Sequence, residues 1–222
     1  MRASRVLVMN PNSSVSCTEG IAAAIRPLGS EAVRFDVERL PDGPPAVASW
    51  SDWFAVAEPL RRLAAREDAA AYVIACVSDP GLDAVREATG KPVLGMMRCA
   101  VVAALARGAE RFGIVGFLAS SLPRQRRVLQ SMGLETRLAG WEALNLDMET
   151  LTDPVAPRER IAAVARSLAA DGAEAIILGC TGLAAHAAFA EAASGVPVVE
   201  PCRAAAAMAL LVAAERRPDT AP

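Results

Sequence analysis

Aromatic side chains are scarce in this chain: they make up 4% of its 222 residues, while 53% are hydrophobic and alanine is abundant. Core filling therefore falls to small aliphatic groups and closely packed helices. There is a single histidine, His186. With no second imidazole, and no cysteine or carboxylate at ligand spacing, a zinc site is not expected, and His186 is assigned a packing or surface role. The Gly-x-Ser-x-Gly elbow of serine hydrolases is missing, which argues against a serine-histidine triad. No glycine-rich phosphate cradle appears, so no nucleotide cofactor is indicated. The net charge is only −2 and no basic stripe exists, so nucleic acid is not an expected partner. No apolar run is long enough to span a bilayer, and no membrane partner is expected. The short Met1-Arg-Ala-Ser4 leads straight into a strand and does not read as a signal peptide. The five cysteines are an odd number without disulfide or zinc spacing. Reduced thiols and a cytoplasmic location are the expectation.

What is present is one unit written twice. The first copy holds Ala71-Tyr-Val-Ile-Ala-Cys76, a helical stretch, then Lys91-Pro-Val-Leu94. The second holds Glu174-Ala-Ile-Ile-Leu-Gly-Cys180, a helical stretch, then Val196-Pro-Val-Val199. Cys76 and Cys180 are offset by 104 positions, Pro92 and Pro197 by 105, and the strand-like segments from Arg5 and Arg111 by 106. A duplicated unit with a thiol at each strand end implies a cleft flanked by two sulfurs.

Short apolar runs alternate with helical stretches throughout. Strands are expected at 5–9, 33–37, 72–75 and 93–94, and again at 112–115, 135–138, 175–178 and 198–199. Helices are expected from Ser16, where Ser16 and Glu19 form a capping box, and over 52–66, 99–106, 122–132, 158–170, 183–192 and 202–214. Asp79 and Pro80 suit the N-cap and first position of a further helix. The stretch 140–157 is the least regular, and 216–222 reads as a frayed tail. Regular βα alternation predicts an α/β fold of two pseudo-symmetric lobes. Each is a small, mostly parallel sheet flanked by helices, with the active site in the interlobe cleft. The lobe boundaries are drawn at 1–98 plus 200–222 and at 99–199, the last helix folding back onto the first lobe. Ligands bind such sheets beyond the carboxyl ends of the strands, where Cys76 and Cys180 stand.

A sulfur between a strand end and a helix start feels the positive end of the helix dipole, which lowers its pKa and favours the thiolate. A thiolate is then a general base and the opposing thiol a general acid. Facing one another across a planar carbanion, such a pair inverts a carbon alpha to a carbonyl without metal, flavin or pyridoxal. Backbone N–H groups at the helix starts would hold the enolate oxygen. A free cysteine is ordinarily a small buried hydrophobe. That reading stands for Cys17, Cys99 and Cys202, whereas equivalent placement in two copies overrides it for Cys76 and Cys180.

Asn10-Pro-Asn-Ser13 after the first strand, Ala75-Cys76 followed by Ser78-Asp-Pro-Gly-Leu82, and Leu178-Gly-Cys180-Thr-Gly182 carry a resemblance. The chain is similar, from Val6 to about Ala209, to the aspartate/glutamate/hydantoin racemase superfamily, and within it to the hydantoin and allantoin racemases. The resemblance implies two pseudo-symmetric α/β lobes and a cofactor-independent mechanism with two thiols, Cys76 and Cys180. It implies that Asn10 touches substrate, that Thr181 and Gly182 flank the second thiol, and that the N–H groups of Val77 and Ser78 line an anion pocket. Two segments depart from the family pattern. Gly116-Phe117 replaces a Thr-Thr pair, and Val47-Ala-Ser-Trp50 replaces a Ser-Ile-Glu-Gly-like run. Phe117 and Trp50 are expected to face a more apolar substrate.

Ser14, with Asn12 and Ser13, could bind a carboxylate or ring amide at a helix start, although these are also ordinary turn and cap residues. Asp79 reads as a helix cap before a tuner of Cys76. Arg98 and Arg203 open equivalent helices, and neither is assigned to the substrate. Trp50, Trp53 and Phe54 read as core packing or, alternatively, as a mobile cover. The expected function is racemisation or epimerisation of an amino-acid-derived, hydantoin- or allantoin-like small molecule. The same fold acting as an arylmalonate-type decarboxylase or maleate-type cis–trans isomerase is the alternative, and a two-lobed binding protein without turnover is a third. Alanine-rich apolar helix faces, and the assemblies the resembled family forms, point to a homo-oligomer.

Overall fold

The computed structural model describes residues 3–215; the tail 216–222 lies outside them. Strand β1 (Ser4–Asn10) sends Val6 and Val8 to one side and Leu7 and Met9 to the other, and all four are buried. Burial on both faces is the mark of a parallel sheet covered by helices on each side. β1 pairs in parallel with β2 (Val33–Arg39) and β3 (Ala71–Ile74), and β4 (Val93–Gly95) extends β3, giving the order β2-β1-β3-β4. The second sheet repeats it in β5 (Phe112–Gly116), β6 (Leu138–Ala143), β7 (Ala175–Gly179) and β8 (Val198–Val199), ordered β6-β5-β7-β8 and again all parallel. The repeat in the sequence is also a repeat of topology.

The two sheets share an inner core. Val6, Val8 and Val73 of the first sheet and Phe112, Ile114 and Ile177 of the second belong to one continuous cluster. Between them lie α1 (Val15–Ile25), α5 (Met96–Ala106) and α10 (Pro201–Glu215), which contribute Ile21, Met97, Ala100, Ala104, Ala205 and Ala209. Alanine at these contacts keeps the layers close. Each outer face has its own core. Leu7, Met9 and Ile74 pack beneath α3 (Ala57–Arg66) and α4 (Leu82–Thr89). Val115, Ile176 and Leu178 pack beneath α8 (Arg158–Ala170) and α9 (Ala187–Ser194). After β8, α10 returns to pack on β3, β4 and α1. Among the described residues no helix is long and apolar enough to cross a membrane.

Several boundaries differ from the sequence reading. The first helix is capped by Ser14, whose Oγ accepts from the Cys17 N–H at 3.2 Å, rather than by Ser16. The stretch 52–66 divides into α2 (Trp50–Ala55) and α3, because Pro59 has no N–H to continue the ladder. The strand expected at 135–138 is a 3₁₀ turn, Glu135–Arg137, and pairing begins only at Leu138. Residues 181–186 form a 3₁₀ turn ahead of α9.

Asp79 is the most telling difference. It does not cap the helix that follows it, which begins at Leu82 after Gly81. Its backbone is left-handed, with φ 48°, and its carboxylate is carried across to the start of α5. There it accepts from the Met97 N–H at 2.8 Å, the Arg98 N–H at 3.3 Å and the Arg98 guanidinium at 2.9 Å. In the second copy Glu200 serves α10 in place, accepting from the N–H groups of Cys202 at 2.9 Å and Arg203 at 2.8 Å. Burial pushes both carboxyls above their ordinary values, and the helix N–H groups work against it. Gly95 stands where the second copy has Glu200, and a Cβ there would meet Asp79 Oδ2 at 2.3 Å. Gly95→Ala is expected to cost about 1–3 kcal/mol through overpacking. A thermal melt should show Tm lowered by several degrees; an unchanged Tm would mean that Asp79 does not depend on this close approach.

Candidate active site

Parallel strands deliver their carboxyl ends to one edge of a sheet, and here two such edges meet. Cys76 follows β3 and Cys180 follows β7, at equivalent points of the two sheets. Both line a narrow crevice between the lobes, whose enclosed volume is only about 40 Å³, with Val77, Ser78, Phe117, Arg124 and Thr181 among the other walls.

Both thiols are half-buried and free. Burial pushes Cys76 up to about 11, opposed by a hydrogen bond with Ser78 Oγ at 3.4 Å and by the Arg124 charge, and reinforced by Asp79. Burial pushes Cys180 higher still; Cys17 and Cys76 add to the shift, and the Gly182 N–H opposes it. The expected lowering by helix dipoles is therefore not found. The helix after Cys76 starts at Leu82, too remote to act, and Cys180 opens only the short 3₁₀ turn Thr181–His186.

The structure brings Cys76, Val77, Ser78, Phe117, Cys180 and Thr181 together on the crevice wall. Asn10, Ser14, Trp50 and Gly182 are not on it. Asn10 is fully buried, donating to Asn12 Oδ1 at 3.0 Å and Thr18 Oγ1 at 2.9 Å; Asn12 is the residue that reaches the crevice. Ser14 is spent on capping α1. Gly182 packs against Leu151 and Thr152. Trp50 is 38% exposed and stacks on Phe54, because the Ser49–Asp52 capping box starts α2 at Trp50 and turns the indole outward. Trp53, beside it, donates its Nε1–H to the Ser78 carbonyl at 3.0 Å. From the segment Val47-Ala-Ser-Trp50, Val47 lines the crevice. Cys17 is buried next to the site, with its Sγ 3.2 Å from Thr181 Oγ1, while Cys99 and Cys202 lie in the shared core.

The Gly116-Phe117 departure has a structural partner. A Cβ at Gly116 would sit 2.1 Å from the Trp141 ring, so the indole occupies that space. Trp141 Nε1–H donates to Gln125 Oε1 at 2.6 Å, and Gln125 Nε2 donates to the Gly179 carbonyl at 2.8 Å, just ahead of Cys180. Gln125 thus ties β6 to the end of β7.

Sequence reasoning passed over Arg124 and Gln125. Both sit on α6 (Leu122–Ser131), on the face buried with Val128 and Leu129. The visible sign was an arginine four residues before an apolar anchor on a helix. Arg124 is 2% exposed. Its Nη2 donates to the carbonyls of Ala48 at 3.0 Å and Val47 at 3.4 Å, and Ser120 Oγ donates to the same Ala48 carbonyl at 2.8 Å. A strap from the first lobe is thereby pinned to the second. Among the described residues no cluster of three or more His, Cys, Asp or Glu side chains is arranged to hold a metal ion.

The crevice and the twin sheets define a two-lobed α/β protein with its candidate site between the lobes. The family described as "Asp/Glu/Hydantoin racemase" matches residues 6–209, and the chain belongs to that family. It is 35% identical over 215 residues to a hydantoin racemase from Paenarthrobacter aurescens, covering 92% of this chain and 89% of that one. Among solved structures it resembles allantoin racemase from Klebsiella pneumoniae, with TM-score 0.86 and 31% identity over 96% of this chain and 89% of that one. It also resembles allantoin racemase from Pseudomonas fluorescens, with TM-score 0.86 and 25% identity over 98% and 99%.

His186 ends the turn that Cys180 opens and is 1% exposed. Burial lowers its pKa from 6.5; backbone hydrogen bonding with Asp153 and Leu151 and the Asp153 charge oppose this, and the Arg158 charge adds to it. Below 6.5 the unfolded chain binds a proton that the folded chain refuses, so stability falls as pH drops from there toward the lower folded value. Urea unfolding between pH 7 and 5 should show His186→Leu losing less stability on acidification than the parent. Equal losses would mean that His186 does not stay neutral in the fold.

Proposed function

We propose that this chain racemises a carbon alpha to a carbonyl in a hydantoin- or allantoin-like small molecule by proton transfer between Cys76 and Cys180. The observation that carries the reading is that both thiols open onto one crevice from equivalent strand ends of opposing lobes. In this reading one sulfur, as thiolate, takes the α-proton; the C–H bond breaks and its electron pair passes into the enolate. The other thiol gives its proton to the opposite face. The enzyme finishes with the protonation of the two sulfurs exchanged, ready for the other enantiomer. No net redox change occurs.

The N–H groups of Val77 and Ser78 beside Cys76, with Thr181 beside Cys180, hold the carbonyl oxygen as charge grows on it, while the Gly182 N–H steadies the Cys180 sulfur. Asn10 acts through Asn12, and Ser14 by fixing the loop that carries both. Phe117, Val47 and Met148 give the crevice an apolar side, which favours a substrate with an apolar substituent on the reacting carbon. Trp50 lies away from that substituent. The same reading divides the lobes at 1–98 plus 200–222 and 99–199, and takes the enzyme to be a cytoplasmic homo-oligomer.

Proton exchange in heavy water tests it. With a 5-substituted hydantoin, the parent should racemise the substrate and place deuterium at the α-carbon. Cys76→Ser and Cys180→Ser should each lose about 10²–10⁴-fold in racemisation. Each should keep exchange of one enantiomer only, and the two variants should prefer opposite enantiomers. Full racemisation by either variant would end the two-thiol mechanism. Carbon dioxide release from an arylmalonate, without α-exchange on the hydantoin, would replace it with decarboxylation.

A further inference from the structure

A cycle between two thiols starts only if one of them is ionised, and the crevice disfavours charge on both. Its walls nevertheless hold one buried cation. Arg124 is 2% exposed, and no carboxylate comes within salt-bridge distance of its guanidinium among the described residues. Its Nη2 is committed to the carbonyls of the strap and to Ser121 Oγ at 3.4 Å, while its Nε is buried without any acceptor. A buried guanidinium with an unmet N–H and no counter-ion is costly, and a neighbouring negative charge relieves it.

Two acidic groups act on Arg124 through space, Cys76 and Asp52. The Asp52 carboxylate is already engaged by the N–H groups of Ala48 and Ser49 and by the Ser49 hydroxyl. Cys76 and Cys180 both share the crevice wall with Arg124, and of the two it is Cys76 whose charge acts on the guanidinium. The other charged group close to Cys76, Asp79, has its charge offset by Arg98 and the start of α5. The surroundings of Cys180 differ. The ionisable groups that act on it are Cys17 and Cys76, which oppose a charge there, and no cation is among them.

We propose that Arg124 is the counter-ion of a Cys76 thiolate, so that Cys76 is the sulfur that ionises first and Cys180 the one that keeps its proton. This rests on the two-thiol reading above and gives it a direction. The Cys76 proton leaves to solvent, Arg124 remains protonated throughout, and the free enzyme meets substrate with its base on the first lobe and its acid on the second. Arg124 is a positioning residue in this scheme: it acts through Cys76. Because it also donates to the Val47 and Ala48 carbonyls, the hold on the strap and stabilisation of the thiolate depend on the same side chain.

Comparing the two enantiomers as substrates cannot test this. The equilibrium constant of a racemisation is one, so kcat/KM is equal in both directions at every pH. Alkylation reads the sulfurs directly, since the thiolate is the nucleophile. The protein is treated with iodoacetamide from pH 6 to 10, and each cysteine peptide is followed by mass spectrometry. The pH dependence for Cys76 should fall at least about one unit below that for Cys180, which corresponds to about tenfold in thiolate fraction at a common pH. Arg124→Gln should slow Cys76 about tenfold or more and leave Cys180 within about twofold, whereas Arg124→Lys should keep most of the Cys76 rate. A Cys180 that reacts at the lower pH, or a Cys76 rate unchanged in Arg124→Gln, overturns the proposal. If Arg124→Gln does not fold, the unmodified protein and Arg124→Lys decide by the order of the two pH dependences. The readout needs no substrate: absence of α-proton exchange would overturn the proposed function and leave this measurement standing. Exchange without selective ionisation of Cys76 would overturn the inference alone.

Discussion

The shared inner core is the constraint from which the site follows. Val6, Val8 and Val73 on one sheet and Phe112, Ile114 and Ile177 on the other bury themselves in one cluster, with α5 and α10 between them. Because both sheets are parallel throughout, each has a single carboxyl edge, and packing against a common seam brings the two edges to one crevice. Alanine makes that seam thin. Bulkier side chains at Ala100, Ala104, Ala205 and Ala209 would push the layers apart and widen the gap between Cys76 and Cys180. The scarcity of aromatics and the placement of two sulfurs are thus aspects of the same packing.

Burial governs the chemistry of the crevice. A dry site strengthens every electrostatic contact, and it also opposes the thiolate the proposed reaction needs. The helix dipoles that the strand-end position promised are too far away or too short. What the crevice has instead is a guanidinium that grips the strap from the other lobe. Asp79, one turn beyond Cys76, has its charge committed to α5 and Arg98, with Gly95 making room. The negative charge nearest the first thiol is thereby compensated, while Arg124 on the same crevice wall keeps a buried Nε without an acceptor.

Much of this was legible in the residues. The offsets between copies predicted twin sheets, the strand-end cysteines predicted a common cleft, and the motifs around Cys76 and Cys180 pointed to the family. What escaped depends on contacts between distant segments. Asp79 followed by Pro80 has the local form of an N-cap, and only the tertiary fold shows that its carboxylate serves a helix seventeen residues on. Trp50 belongs to a departing motif, yet a local capping box turns it outward. Nothing local sets Arg124 apart from Arg126 and Arg127; its burial depends on a strap near residue 47 arriving from the other lobe. Gly116 reads as the loss of a threonine until Trp141 is seen filling the space.

The most direct test of the whole account is a crystal structure with a planar, enolate-like hydantoin analogue bound. The account predicts the ligand in the crevice, with the Sγ atoms of Cys76 and Cys180 on opposite sides of the plane through the reacting carbon and Arg124 on the Cys76 side. A ligand bound elsewhere, or both sulfurs on one face of it, would contradict the account.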